Sequence, residues 1–304
     1  MTRTPAVPVL SFLTDYGLQD GFVAACHGVI AAIAPHARVI DVTHLIPPQD
    51  IRRGSAVLAQ TLPHLPPGSV HLAVVDPGVG TARRPVAVAT ARGDVLVGPD
   101  NGLLHPAWDA LGGAVAAHQL TETRWMRGEV SSTFHGRDIF APVAAHLAAG
   151  IPLAEVGRAL DPAGLVRLPE PVARLDRESG RAEGEVVTVD RFGNVQTSLA
   201  PGLLAQIGVV RRPGARMLVS TPNGSGEVPY AAAFGDVPTG ALVAYTDSAG
   251  LLALAVNGGS AAARLGLSPG DPVSVSPAGE AGSPAPSGEG GGTATASGAD
   301  SRSW

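Results

Sequence analysis

Short apolar runs alternate with longer mixed stretches along the first half of the chain. Residues 7–13, 39–42, 70–75, 86–89 and 95–97 are β-branched or aliphatic runs and read as buried strands. Between the early runs, residues 20–33 (DGFVAACHGVIAAI) and 50–61 (DIRRGSAVLAQT) carry small and apolar residues at helical spacing. A further helix is predicted over 138–149 (DIFAPVAAHLAA), stopped by Gly150-Ile151-Pro152. Strands alternating with helices predict an α/β unit built on a mostly parallel sheet.

The pattern changes after about residue 167. "RLPEPVARLDRESGRAEG" is polar, charged and proline-bearing, and reads as a linker. Beyond it lie shorter runs at 185–189, 217–220, 241–245, 251–256 and 272–275, separated by turns such as Asn223-Gly224 and Asn257-Gly258-Gly259. These predict a smaller β-rich domain, a barrel or a sandwich. Residues 278–304 contain no Ile, Leu, Val, Phe or Met and are expected to be a disordered Gly/Ser/Pro/Ala tail. The expected division is 1–170, 171–277 and 278–304.

Composition narrows the function. Of 304 residues, 45% are apolar and 15% charged, enough for a substantial core. The net charge of −5 provides no basic field, so a nucleic-acid partner is not expected. Every basic residue is Arg, which excludes lysine-based covalent chemistry. Cys26 is the only cysteine and is read as a small buried hydrophobe, with neither a disulfide nor a cysteine metal site. No apolar run approaches membrane-spanning length and no leader pattern opens the chain, so a cytoplasmic protein is expected.

Ligands of open α/β sheets bind outside the carboxyl ends of the strands. Polar clusters follow the predicted strands at Thr14-Asp15 with Asp20, at Asp41–His44, at "VVDPGVGTARR" with Asp76 and Arg83, and at Asp100-Asn101. "SSTFHGRDIF", with His135, Arg137 and Asp138, precedes a predicted helix. Each has a plain structural alternative. Asp20 and Asp138 suit helix caps, His44 suits a core or supporting role, and "DPGVG" suits a tight turn. No Walker or dinucleotide-binding glycine pattern occurs. Asp15 lies too early to cap the helix that follows it.

The motifs "LTDYGLQDGFVAACHG", "DVTHLIPPQDI", "VVDPGVGTARRPVAV", "GPDNGLL", "STFHGRDIFAPVAAHLAAG" and "VDRFGNVQTSL" occur in this order. Together, over residues 9–275, the chain resembles the S-adenosyl-L-methionine (SAM) hydroxide adenosyltransferases, relatives of the fluorinase and chlorinase. The resemblance implies an N-terminal α/β sandwich domain and a C-terminal β-barrel domain. It also implies a homotrimer, with active sites between the N-terminal domain of one subunit and the C-terminal domain of the next. The implied reaction converts SAM and water to adenosine and L-methionine without a cofactor or metal.

Residue by residue, Asp15 matches the acceptor of both ribose hydroxyls, and Asp76, Arg83 and His135 match the set characteristic of the hydrolases. Phe192 and Asn194, with Phe234, match positions at the adenine, and Asp190, Ser248 and Asp20 match positions near the methionine end. Gly136 stands where the fluorinase has its fluoride-binding serine, Gln49 and Gln196 where the halogenases have tryptophans, and Ala249 where the fluorinase has an arginine.

The chemistry suits these residues. Sulfur leaves as a neutral thioether and needs no acid, so the enzyme must position and deprotonate water in line with C5′. His135 is a candidate base by intrinsic pKa, Asp76 could orient the water or take the proton, and Arg83 would hold Asp76 ionised and favour hydroxide character; the sequence leaves the acceptor open. Three other readings stand beside this one. A metal-dependent nucleoside hydrolase would use an acidic segment like "LTDYGLQDG", a halogenase would use the same fold, and a non-catalytic module would only bind SAM or adenosine.

Overall fold

The computed structural model describes residues 7–278. The predicted tail, from residue 279 onward, lies outside the described residues. Contacts divide the chain into two compact units that part between Pro169 and Glu170.

The first unit carries strands β1 (Val9–Thr14), β2 (Arg38–Thr43), β3 (Val70–Val74), β4 (Pro85–Thr90), β5 (Val95–Pro99), β6 (Ala114–Leu120) and β7 (Gly157–Leu160). Its helices are α1 (Phe22–Ile33), α2 (Ile51–Thr61), α3 (His105–Ala110) and α4 (Ala141–Ala148), the last entered through a π-helical turn at Gly136–Phe140. The sheet order is β2-β1-β3-β5-β4-β6-β7. The pairings β1–β2, β1–β3 and β3–β5 are parallel, as the alternating pattern predicts. β5–β4, β4–β6 and β6–β7 are antiparallel, so the sheet is mixed rather than mostly parallel. The reason is local: β4 and β5 are joined by the short Ala91–Asp94 turn, which leaves no room for a crossover helix.

Alternate side chains of the central strands supply two cores. Leu10, Phe12, Leu72 and Val74 pack with Cys26 and Ile30 of α1 and Val143 and Ala144 of α4. Leu13, Ala73 and Val75 pack with Leu58 of α2 and Trp108 of α3. Cys26 is fully buried, and burial pushes its thiol up to about 12. A buried polar chain pins β1 to β3 and to the β4–β5 turn. Ser11 Oγ lies 2.8 Å from His71 Nδ1, and His71 Nε2 lies 3.2 Å from Asp94 Oδ1. These three residue types also make hydrolytic triads, but all three here are buried without access and serve the sheet.

The second unit is an antiparallel sheet. It comprises β8 (Ala173–Asp176), β9 (Arg181–Val189), β10 (Val195–Thr197), β11 (Arg216–Thr221), β12 (Gly224–Pro229), β13 (Leu242–Thr246), β14 (Leu252–Val256) and β15 (Pro272–Pro277). Short helices α5 (Pro201–Gln206) and α6 (Ala261–Leu265) accompany it. The order is β12-β11-β15-β9-β10-β14-β13, with β8 paired to β9. Tyr230, just past β12, bridges Ala244 of β13, so the two ends of the sheet meet and it nearly closes on itself. The segment read as a linker is in fact the β8–β9 hairpin, in register from Ala173–Gly184 to Asp176–Arg181. Its charged residues suit an exposed ribbon, and Asp176 ties the turn by accepting from the Glu178 and Ser179 backbone N–H groups.

Candidate active site

In the first unit the site gathers at the carboxyl ends of β1 and β3. Asp76 follows β3 and opens the "DPGVG" turn. There Val79 N–H donates to Asp76 O at 3.2 Å and Thr81 Oγ1 donates to Gly78 O at 2.6 Å. Gly80 has φ 76°, and a Cβ on it would lie 2.6 Å from Ser132 O, so the turn needs glycine there. The motif is a tight turn, as its composition suggests, and the turn folds Arg83 back onto Asp76. Arg83 Nε donates to Asp76 Oδ1 and Oδ2 at 2.9 Å each, and Nη2 also donates to Oδ2. The guanidinium lies over the Phe140 ring at 5.0 Å.

Arg83 Nη2 also lies 2.8 Å from His135 Nδ1. A guanidinium only donates, so Nδ1 must accept. His135 is therefore the neutral tautomer with its proton on Nε2. Burial lowers its pKa first and the Arg83 charge lowers it further, against the opposing charges of Asp76 and Asp138.

Asp138 does different work from its neighbour. It is fully buried and accepts from Arg137 Nε at 2.7 Å, Arg137 Nη2 at 3.0 Å and the Ser131 backbone N–H at 2.9 Å. Burial works to raise its pKa, but these bonds and the Arg137 and Arg127 charges outweigh it, and the net shift is downward. Asp138 thus fastens the loop that precedes His135. The π-turn it belongs to, Gly136–Phe140, is the kind of helix irregularity that concentrates at functional sites.

Asp15, just past β1, accepts from the Gln49 backbone N–H at 2.8 Å through Oδ2. Gln49 is the one non-glycine with positive φ among the described residues, at 67°. The role of the next residue, Tyr16, is not visible in the sequence, yet it shapes the site. A Cβ on Gly136 would lie 1.9 Å from Tyr16 Oη, so the tyrosine occupies the space a side chain at 136 would need. Tyr16 packs edge-on against Phe22 and Phe134. Burial, with the nearby Cys26, Asp15 and Asp76, raises its pKa, so the phenol stays protonated.

Asp20 is exposed and does not cap α1; the cap position is Gly21, with no side-chain bond. Asp100 is structural, accepting from Arg84 Nε at 2.8 Å and from the Val166 N–H at 2.8 Å. Asn101 Nδ2 donates to Val75 O at 2.9 Å and so steadies the backbone beside Asp76.

In the second unit, Phe192, Asn194 and Phe234 line one pocket of about 620 Å³ together with Val256–Ser260. Phe192 is 75% exposed, an unusual placement for an aromatic in a chain with so few. Asp190 holds the "RFGN" turn from within. Its Oδ1 accepts from Phe192 N–H at 2.8 Å and Asn194 N–H at 2.9 Å, and its Oδ2 from Asn194 Nδ2 at 2.7 Å. Asp190 therefore orients the pocket residues and is not among those lining the pocket. Ser248 is exposed at the tip of the β13–β14 turn, which Asp247 braces by accepting from the Ala249 and Leu251 N–H groups. The pocket wall at Val256–Ser260 reads in the sequence only as a turn.

Comparison with known proteins gives this arrangement a family. Residues 10–157 match the SAM hydroxide adenosyltransferase N-terminal domain, and residues 184–274 match the C-terminal domain. The (R)-S-adenosyl-L-methionine hydrolase of Salinispora arenicola (strain CNS-205) is 55% identical over 270 residues, covering 89% of this chain and 98% of that protein. A fluorinase of Actinoplanes sp. (strain N902-109) is 30% identical, covering 89% of this chain and 98% of its own length. The crystal structure of an uncharacterized conserved protein from Thermotoga maritima superposes with a TM-score of 0.82 at 37% identity, covering 88% of this chain and 99% of that one. On both halves and at this level of identity, the chain belongs to the SAM hydroxide adenosyltransferase family.

Proposed function

We propose that this enzyme hydrolyses SAM to adenosine and L-methionine, by in-line attack of water or hydroxide on C5′ with methionine sulfur leaving. The observation that carries this reading is the contact chain Asp76–Arg83–His135. With Arg83 donating to Nδ1, His135 offers its Nε2–H to the oxygen nucleophile and holds it rather than taking its proton. Asp76 Oδ1, which receives a single Arg83 N–H, is the proton acceptor that remains. Arg83 offsets the negative charge of the hydroxide that forms. Sulfur departs neutral, so neither an acid nor a metal is needed at the leaving group.

Asp15 keeps free acceptor positions beyond its bond to Gln49 and suits the vicinal ribose diol. The Phe192–Phe234 pocket, with Asn194, suits a flat adenine. Ser248 and Asp20, both exposed, are the candidates for the methionine end. The finer architecture belongs to the same proposal: an N-terminal α/β sandwich domain, a C-terminal β-barrel domain, and a cytoplasmic homotrimer whose sites combine domains of neighbouring subunits. Among the described residues no helix is long and apolar enough to cross a membrane.

The test is turnover of SAM by the purified protein, following adenosine and methionine. Asp76→Asn, Arg83→Ala and His135→Ala are each expected to lower kcat about 10²–10⁴-fold. Phe192→Ala is expected to raise KM roughly tenfold with kcat little changed, as loss of uniform binding requires. An inert wild type, or full turnover in the first three variants, refutes the reading. Activity that appears only with chloride or fluoride would favour halogenation instead.

A further inference from the structure

A second cluster of chemistry-bearing side chains lies outside the proposed machinery, at the edge of the first sheet. His27 on α1 faces Asp41 on β2, the edge strand, and His44 lies one residue past the end of β2. His27 Nε2 is 2.9 Å and His44 Nε2 is 3.2 Å from the same atom, Asp41 Oδ1. The donor atoms of all three residues lie within 4.8 Å of one another. In an unbroken strand, positions 41 and 44 would face opposite sides. Here the β1–β2 register slips, with Phe12 opposite Asp41 but Leu13 opposite Thr43, and that bulge changes the parity. Phe12 forms an apolar floor, its ring 5.8 Å from the His27 ring and 4.7 Å from the His44 ring.

The hydrogen bonding around His44 is unfinished. The residue is 4% exposed, and its Nδ1 lies 2.9 Å from Thr14 Oγ1. Its Nε2 is buried and lies 3.2 Å from Asp41 Oδ1 without making a hydrogen bond of full geometry. If Nδ1 donates to Thr14, the Nε2 lone pair confronts carboxylate oxygen. If Nε2 carries the proton, a buried donor goes unused, which is costly. A cation between the three groups resolves both cases.

We propose that His27 Nε2, Asp41 Oδ1 and His44 Nε2 form a binding site for a divalent first-row transition-metal ion of the zinc class. Tetrahedral zinc with bonds of about 2.0–2.1 Å has ligand-to-ligand edges of about 3.3 Å. The 3.2 Å separation is close to such an edge, and the 2.9 Å one, a His27–Asp41 hydrogen bond in the absence of an ion, opens to it with a shift of about 0.4 Å. Thr14 Oγ1 would accept from His44 Nδ1–H, the outer-shell bond that ligating imidazoles characteristically make. His27 and Asp41 are only partly covered, which gives the ion an entry path and leaves its remaining position to water. Two imidazoles and one carboxylate select a transition metal over magnesium or calcium, which prefer all-oxygen sets. The site stands independently of the proposed hydrolysis, which routes nothing through it.

The test is calorimetric titration of the full-length, tag-free, chelator-treated protein with zinc chloride. Parallel runs use magnesium chloride, and cobalt(II) chloride as a visible-absorption probe of imidazole ligation. The expected result is one zinc per chain, no comparable heat from magnesium, and cobalt d–d bands typical of low coordination. His27→Ala and Asp41→Asn alter partly exposed ligands and leave the core intact. Outer-shell changes alone cost about 10–100-fold, so loss of a ligand is expected to weaken zinc binding at least tenfold. Absence of stoichiometric zinc binding, zinc affinity unchanged in both variants, or magnesium bound as tightly as zinc would each overturn the site.

Discussion

At the residue scale, the site turns on two small choices. Gly136 is glycine because Tyr16 Oη occupies the volume its Cβ would need, at 1.9 Å. A serine there must push Tyr16 away, so the aromatic and the glycine act as a pair. The second choice is the tautomer of His135. Burial and the Arg83 charge lower its pKa below the ordinary 6.5. The unfolded chain therefore binds a proton at this residue more readily than the folded one, so its effect on stability is nil well above pH 6.5 and increasingly destabilising below it. Turnover should follow the same sign, falling on the acid side as protonation of Nδ1 expels Arg83. NMR titration of the histidine ring protons is expected to place the His135 midpoint below 6.5. A midpoint above 6.5 would refute the assigned hydrogen-bond direction.

At the scale of elements, the loop before the π-turn depends on one carboxylate. Asp138 has zero exposure and binds Arg137, Arg127 and the Ser131 N–H, so its removal strands charges and a backbone donor together. Arg127 and Arg137 are 50% and 33% exposed, and solvent screens part of the loss. Asp138→Ala is expected to cost about 3 kcal/mol in urea denaturation, the lower end for a broken buried pair. Amide exchange at Ser131 should accelerate in the same variant; normal protection there would show that the loop is held by something else.

This dependence also shows what the sequence makes legible. The strands at 39–42 and 70–75 and the helix at 50–61 are readable because their apolar spacing is dictated by burial. β6 (AVAAHQL) is not, because small residues and a histidine blur its alternation, and β7 is too short to carry a pattern. The β8–β9 hairpin reads as a linker because charged side chains line an exposed ribbon, where pairing comes from the backbone rather than from burial. Among site residues, Asp76, Arg83 and His135 are legible through their motifs. The role of Tyr16 is not, because it consists of the room it denies to residue 136, a fact of distance that composition cannot express.

At the scale of the whole molecule, the groups proposed for catalysis and those proposed for adenine binding belong to different units. Asp76, Arg83 and His135 lie before the division at Pro169, and Phe192, Asn194 and Phe234 lie after it. The proposed trimer makes a distinctive demand of this arrangement. If each site takes its catalytic half from one subunit and its adenine half from the next, two disabled chains can rescue each other. Co-expressed His135→Ala and Phe192→Ala subunits would assemble some sites with an intact His135 from one chain and an intact Phe192 from its neighbour. Random assembly into a cyclic trimer makes roughly a quarter of the sites wild type in both halves. At SAM concentrations too low to saturate the Phe192→Ala sites, turnover of the mixture should then exceed the average of the two variants assayed separately. If each site is instead built within a single chain, every site in the mixture carries one lesion and the mixture only averages its components. Turnover equal to that average, in particles shown by mass to contain both variants, would eliminate the shared site while leaving the hydrolytic assignment standing.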